Sequence, residues 1–136
     1  MARSKKKANK TVLIIDDDEA LQMSFKGILQ SNGYDVDAAG TGRDAIEKTS
    51  ERSYDIALID IRLPDMNGDD LLIRMQDSLP NAVKIMITGI PSIDSLTKTQ
   101  KQGADAYMVK PVKIDYLLSL IEEKYSIKNP EKNLSS

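Results

Sequence analysis

Two rhythms of apolar residues alternate along the chain: short runs that are continuous or of period two, and longer stretches with apolar positions three and four apart. Five short runs, at 11–15, 34–39, 54–59, 83–88 and 106–109, read as strands. Those at 11–15, 54–59 and 83–88 are nearly continuous in apolar residues, the mark of strands covered on both faces, so they are expected to be central. Between them, 20–31 carries Leu21, Phe25, Ile28 and Leu29 at helical spacing and stops at Gly33. Further helices are predicted over 43–50, 71–79 (after Gly68 and before Pro80), 93–102 (ending at Gly103) and 114–127, with Leu117, Leu118, Leu120 and Ile121 as its apolar stripe. Strand and helix repeated five times predict an α/β fold, (βα)5, a doubly wound five-stranded parallel sheet with helices on both faces. Such sheets bind ligands at the carboxyl ends of their strands, so functional residues are expected just after the first, third, fourth and fifth. Segments 1–10 and 129–136 are polar and aperiodic and read as a basic flexible tail and a flexible C-terminal tail around one domain, 11–128.

Composition narrows the chemistry. At 136 residues the chain is long enough for one core without a metal or disulfide staple. It has no cysteine and no histidine, which excludes disulfides, thiolate chemistry and the usual acid-base side chain; carboxylates, hydroxyls and lysines are left. No apolar run approaches the roughly 20 residues needed to cross a bilayer, and no signal segment opens the chain, so a cytoplasmic protein without membrane partners is expected. The net charge of -2 conceals an asymmetry: Arg3, Lys5, Lys6, Lys7 and Lys10 form a basic start with no acid, ahead of an acidic body. A basic stretch can neutralise nucleic-acid phosphates, but this one has no aromatic residue for base stacking, and the acidic body weighs against nucleic acid as a partner.

All four strand ends predicted to matter carry chemistry. Asp16, Asp17 and Asp18 follow Val12-Leu13-Ile14-Ile15 directly. A helix N-cap needs one carboxylate, a role Asp18 is placed to fill, and three crowded carboxylates suit a hard cation such as magnesium, held through oxygen. Asp60 ends the third run; as an isolated acid it is a solvated turn residue, and in this mouth it is a carboxylate nucleophile able to form an aspartyl phosphate. Thr88-Gly89 ends the fourth run, either as a simple turn or as a hydroxyl for a phosphoryl oxygen. Lys110-Pro111 ends the fifth, either as a strand stop or as an ammonium that pairs with Asp60 and its phosphate; a cis Lys-Pro bond is one option there. Phosphoryl transfer needs positioning and electrostatics more than acid-base catalysis, so the missing histidine costs nothing.

Together these residues resemble the receiver domains of bacterial and archaeal response regulators, over about 11–128. The match lies in Asp16 and Asp17, Asp60 within Asp60-x-x-x-Pro64-x-x-x-Gly68, Thr88 with Gly89, and Lys110-Pro111, with Tyr107 three residues before the lysine. The resemblance implies a flavodoxin-like strand order 2-1-3-4-5. It also implies Mg2+ bound by Asp17 directly, by Asp16 mainly through water, by Asp60 and by the backbone carbonyl of Arg62. Asp60 would take its phosphoryl group from a phosphohistidine on a sensor histidine kinase or a phosphotransfer protein. The domain would catalyse only its own phosphorylation and dephosphorylation. Thr88 and Tyr107 would then switch the surface of the fourth helix, fifth strand and fifth helix toward a downstream protein the sequence does not identify.

Ile90-Pro91 restricts the loop through which that switch would act, and Arg62 and Ile90 flank the expected phosphate. Because the chain stops soon after its fifth helix, a stand-alone receiver is expected, the alternative being one excised from a hybrid kinase or transcriptional regulator. A flavodoxin-like electron carrier needs a hydroxyl- and glycine-rich phosphate loop where this chain has Asp16 to Glu19. A haloacid-dehalogenase-type phosphatase needs a second acid where Arg62 stands.

Overall fold

A computed structural model describes residues 9–130. Most of both expected tails, 1–8 and 131–136, lies outside the described residues. The elements run β1 (Thr11–Ile15), α1 (Glu19–Ser31), β2 (Asp35–Ala39), α2 (Gly42–Glu51), β3 (Ile56–Asp60), α3 (Gly68–Ser78), β4 (Val83–Thr88), α4 (Ile93–Lys101), β5 (Ala106–Val109) and α5 (Ile114–Lys128). All strand pairings are parallel, in the order β2-β1-β3-β4-β5. The three continuous apolar runs are therefore the three interior strands, as expected.

Alternation along those strands divides the core in two. Val12, Ile14, Ile56, Leu58, Val83 and Ile85 face α1 and α5, where Phe25, Leu29, Leu117 and Ile121 meet them. Leu13, Ile15, Ala57, Ile59 and Met86 face the other way, toward Ala45 of α2 and Leu71, Leu72 and Met75 of α3. Each of these buried Leu and Ile side chains contributes roughly 1.5–3 kcal/mol relative to exposure. No helix among the described residues is long and apolar enough to cross a membrane.

Beyond boundary shifts of a single residue, the structure departs from the sequence pattern at three places. β3 starts at Ile56 because Asp55 turns its carboxylate onto the Thr11 backbone N–H (2.9 Å) and hydroxyl (3.1 Å), while Tyr54 is buried and donates to Asp37 (2.6 Å). α3 begins at Gly68, so Asp69 and Asp70 form an acidic first turn, favourable to the helix dipole. Lys10, read as tail, is attached: its carbonyl accepts the Asp35 N–H (2.9 Å), extending the β1–β2 ladder, and its ammonium sits 4.8 Å from the Tyr125 ring centre.

Candidate functional site

Interior strands deliver their last residues into a water-poor mouth, which decides how the acids there behave. Asp16, directly after β1, is only 3% exposed. Its N–H bonds the Ala39 carbonyl (3.0 Å), its carbonyl accepts from the Gln22 amide, and its Oδ1 accepts the Asp18 N–H (2.9 Å). Asp18 is the N-cap of α1, accepting the Leu21 N–H (3.1 Å). Asp17 is exposed at the rim.

Asp60, the last residue of β3, is 7% exposed and accepts the Arg62 N–H at Oδ1 (3.0 Å). From β5, two strands away, Lys110 reaches both buried acids: its Nζ is 2.8 Å from Asp16 Oδ2 and 3.3 Å from Asp60 Oδ2. The Lys110–Pro111 bond is cis. One carboxylate oxygen from each of Asp16, Asp17 and Asp60 falls within 4.8 Å of the others.

The electrostatics follow from that geometry. Burial raises the Asp60 carboxyl above the ordinary range, and the Asp16 charge adds to this, while the Arg62 N–H and the Lys110 ammonium work against it. For Lys110 burial acts to lower the pKa, but the hydrogen bond that its ammonium donates to Asp16 and the charges of Asp60 and Asp16 outweigh it and the net shift is upward. Three carboxylates gather where one ammonium pairs with two of them, and the excess negative charge with hard oxygen donors fits a small divalent cation.

The loop from β3 to α3 frames the acceptor position. Gly68 donates its N–H to the Ile61 carbonyl (2.6 Å), and an added Cβ there would lie 2.2 Å from the Asp60 carbonyl oxygen, so only glycine lets the loop close behind Asp60. Asp65, which the sequence pattern left without a role, clamps this loop to α2 by accepting the Gly42 (2.8 Å) and Arg43 (3.0 Å) N–H groups. Those two bonds hold its carboxyl below the usual range.

Two other expected residues are engaged elsewhere. Thr88, 1% exposed at the end of β4, accepts the Ile90 N–H (3.1 Å) and donates to the Ile90 carbonyl (3.3 Å). Tyr107 is half-buried on β5, with its hydroxyl 2.7 Å from Ser95 Oγ on α4. Ser95 was not singled out from sequence, nor was Lys98, whose Nζ lies 2.6 Å from the buried Asp69 carboxylate of α3. Lone hydroxyls and charges on a polar helix carry no signal of their partner.

A five-stranded parallel sheet of this order, with an acid cluster and a lysine at its carboxyl edge, defines a class, the response regulator receiver domains. The family model described as response regulator receiver domain matches residues 12–122, and the chain belongs to that family. Among curated proteins it is 35% identical over 104 residues to the luminescence regulatory protein LuxO of Vibrio campbellii. That match covers 76% of this chain but 23% of LuxO, so the chain spans less than a quarter of that relative. Among solved structures, the CheY-like response regulator receiver domain protein from Methanospirillum hungatei JF-1 aligns with a TM-score of 0.87 at 40% identity, covering 90% of this chain and 98% of that one. A response regulator from Burkholderia pseudomallei, solved with a phosphorylated aspartic acid, calcium ion and citrate, aligns with a TM-score of 0.81 at 26% identity, covering 94% of this chain and 75% of that one.

Proposed function

We propose that this chain accepts a phosphoryl group on Asp60 in a Mg2+-dependent reaction and signals through the surface change that follows. The observation that carries this reading is the meeting of Asp16, Asp17 and Asp60 within 4.8 Å, with Lys110 on both buried acids, at the carboxyl edge of the sheet. Asp16, Asp17, Asp60 and the Arg62 carbonyl would hold Mg2+, which when bound neutralises charge on the transferring phosphoryl oxygens. A carboxylate oxygen of Asp60 attacks phosphorus as the bond to the donor breaks. Lys110 lies where an ammonium can follow the charge from carboxylate to phosphoryl group. Thr88, one strand over, supplies a hydroxyl once it leaves Ile90. The donor is a phosphohistidine on a sensor histidine kinase or phosphotransfer protein, and Tyr107 with α4, β5 and α5 presents the output to a downstream protein. The Burkholderia structure, solved with a phosphorylated aspartic acid and a calcium ion, supports the chemistry by likeness.

This domain acts either alone or as one part of a larger kinase or transcriptional regulator; the 23% coverage of LuxO favours the second arrangement in that relative. Intact-mass spectrometry after incubation with acetyl phosphate tests the chemistry in both cases. One phosphoryl adduct is expected, dependent on Mg2+ and absent from Asp60→Asn. An adduct that persists in Asp60→Asn would sink the assignment, and folded protein that gains no adduct while binding Mg2+ would limit the site to metal binding.

A further inference from the structure

Tyr107 is tied to a neighbouring helix. Its ring packs at the edge of the core face shared by β3 and α3, and its hydroxyl contacts Ser95 Oγ at 2.7 Å in the first turn of α4. Ser95 Oγ has one proton, and the Ser92 carbonyl accepts it at 3.1 Å. With that proton committed, the Tyr107 hydroxyl donates and Ser95 accepts. Other hydroxyls hold the same turn: Ser92 Oγ caps the helix on the Ser95 N–H (3.0 Å), and Thr99 Oγ1 donates to the Ser95 carbonyl (2.9 Å).

The turn connects to Thr88, at the end of β4, through Gly89, Ile90 and Pro91, and Thr88 grips Ile90 by both its N–H and its carbonyl. A Thr88 hydroxyl that turned to a phosphoryl group would give up both of those bonds. A cavity of about 300 Å³, walled in part by Arg62, Asn67, Ser92, Ser95 and Lys98, gives the turn space to move toward the acceptor loop. Holding this end of the helix against movement are the Tyr107–Ser95 bond and, one turn on, the Lys98–Asp69 ion pair.

We propose that Ser95 is a positioning residue for the switch: its hydroxyl latches Tyr107 and the first turn of α4 in the unphosphorylated arrangement, and the latch must open before α4 shifts. This rests on the receiver reading given above. One ordinary hydrogen bond of this kind disfavours the shifted state by about five-fold.

The test uses fluorine NMR of protein made with fluorotyrosine, the Tyr107 resonance being assigned through Tyr107→Phe, together with beryllofluoride titration in Mg2+. Ser95→Ala is expected to move the Tyr107 resonance in unliganded protein and to lower the half-maximal beryllofluoride concentration about five-fold. Ser95→Thr, which keeps the hydroxyl, should behave as wild type. In a Tyr107→Phe background Ser95→Ala should change nothing further. An unmoved Tyr107 resonance overturns the latch, and so does an equal change in affinity in the Tyr107→Phe background, which would trace the effect to α4 alone. If the resonance moves but wild type takes no beryllofluoride, the contact stands while the receiver reading fails, and the latch role fails with it.

Discussion

A methyl group added at position 68 has no free space: it would lie 2.2 Å from the Asp60 carbonyl oxygen and 2.8 Å from Ile61 Cα. Both obstacles are backbone, so the loop or the end of β3 must shift. Gly68→Ala is expected to cost about 1–3 kcal/mol, as overpacking does, and to lower acetyl-phosphate labelling by more than the unfolded fraction accounts for. Urea unfolding measured beside adduct yield separates the two effects. Gly27, inside α1 with nothing within 4 Å of an added Cβ, is the control: Gly27→Ala should raise stability by about 0.5–1 kcal/mol and leave labelling alone.

At the same scale, what the sequence revealed depended on whether a residue's partner was local. Asp18 as an N-cap was readable because its acceptor role is satisfied three residues on. The four candidate strand ends were readable because the topology rule names their location before any contact is known. Asp65 on α2 and Tyr107 on Ser95 were not, because their partners lie 23 and 12 residues away on other elements and any polar residue there would have read the same.

Among the elements, β4 holds the largest departure from its own pattern. Its run Val83–Thr88 reads as an apolar interior strand, yet Lys84 within it is fully buried. Its ammonium donates to Gln76 Oε1 on α3 (2.8 Å), and Gln76 Nε2 donates to the carbonyl of Gln102, the C-cap of α4 (2.6 Å). Lys84 thus anchors the end of α4 opposite Ser95. Burial pushes its pKa down to about 8 from 10.5, and the Lys128 charge adds to this against Asp105. Because the unfolded chain then holds this proton more tightly, stability rises with pH between about 8 and 10.5, and the cost of the buried charge is fully present below about 8. Lys84→Met is therefore expected to stabilise the protein at neutral pH, on the order of 1–3 kcal/mol before the loss of the Gln76 bond is deducted. That advantage should shrink as pH approaches 10.5, and urea midpoints on both sides of the window would show it. A wild type that outlasts Lys84→Met at neutral pH would mean that the tether to α4 outweighs the buried charge.

Across the whole molecule, the cluster exists only because the sheet is folded. Asp16 and Asp60 come from neighbouring strands, but Lys110 reaches them past β4, and the unfolded chain keeps none of these distances. The strand order that makes this possible was legible through the resemblance and not from periodicity, which fixes which strands are interior but not the order in which they pair. A cation that needs all three acids should therefore act as a ligand of the folded state alone. Mg2+ at a hundredfold excess over its dissociation constant is expected to add ~2.7 kcal/mol, a shift of several degrees in the melting midpoint. If the cluster holds the cation, Asp60→Asn and Asp16→Asn should each lose most of that shift, since each removes a buried negative charge from it. The same variants should melt no lower than wild type without Mg2+, because each also relieves crowding among carboxylates that share one lysine. Thermal melts with and without Mg2+ on the three proteins decide it: an equal Mg2+ shift in all three would place the cation elsewhere on this acidic surface and take the metal role away from the cluster.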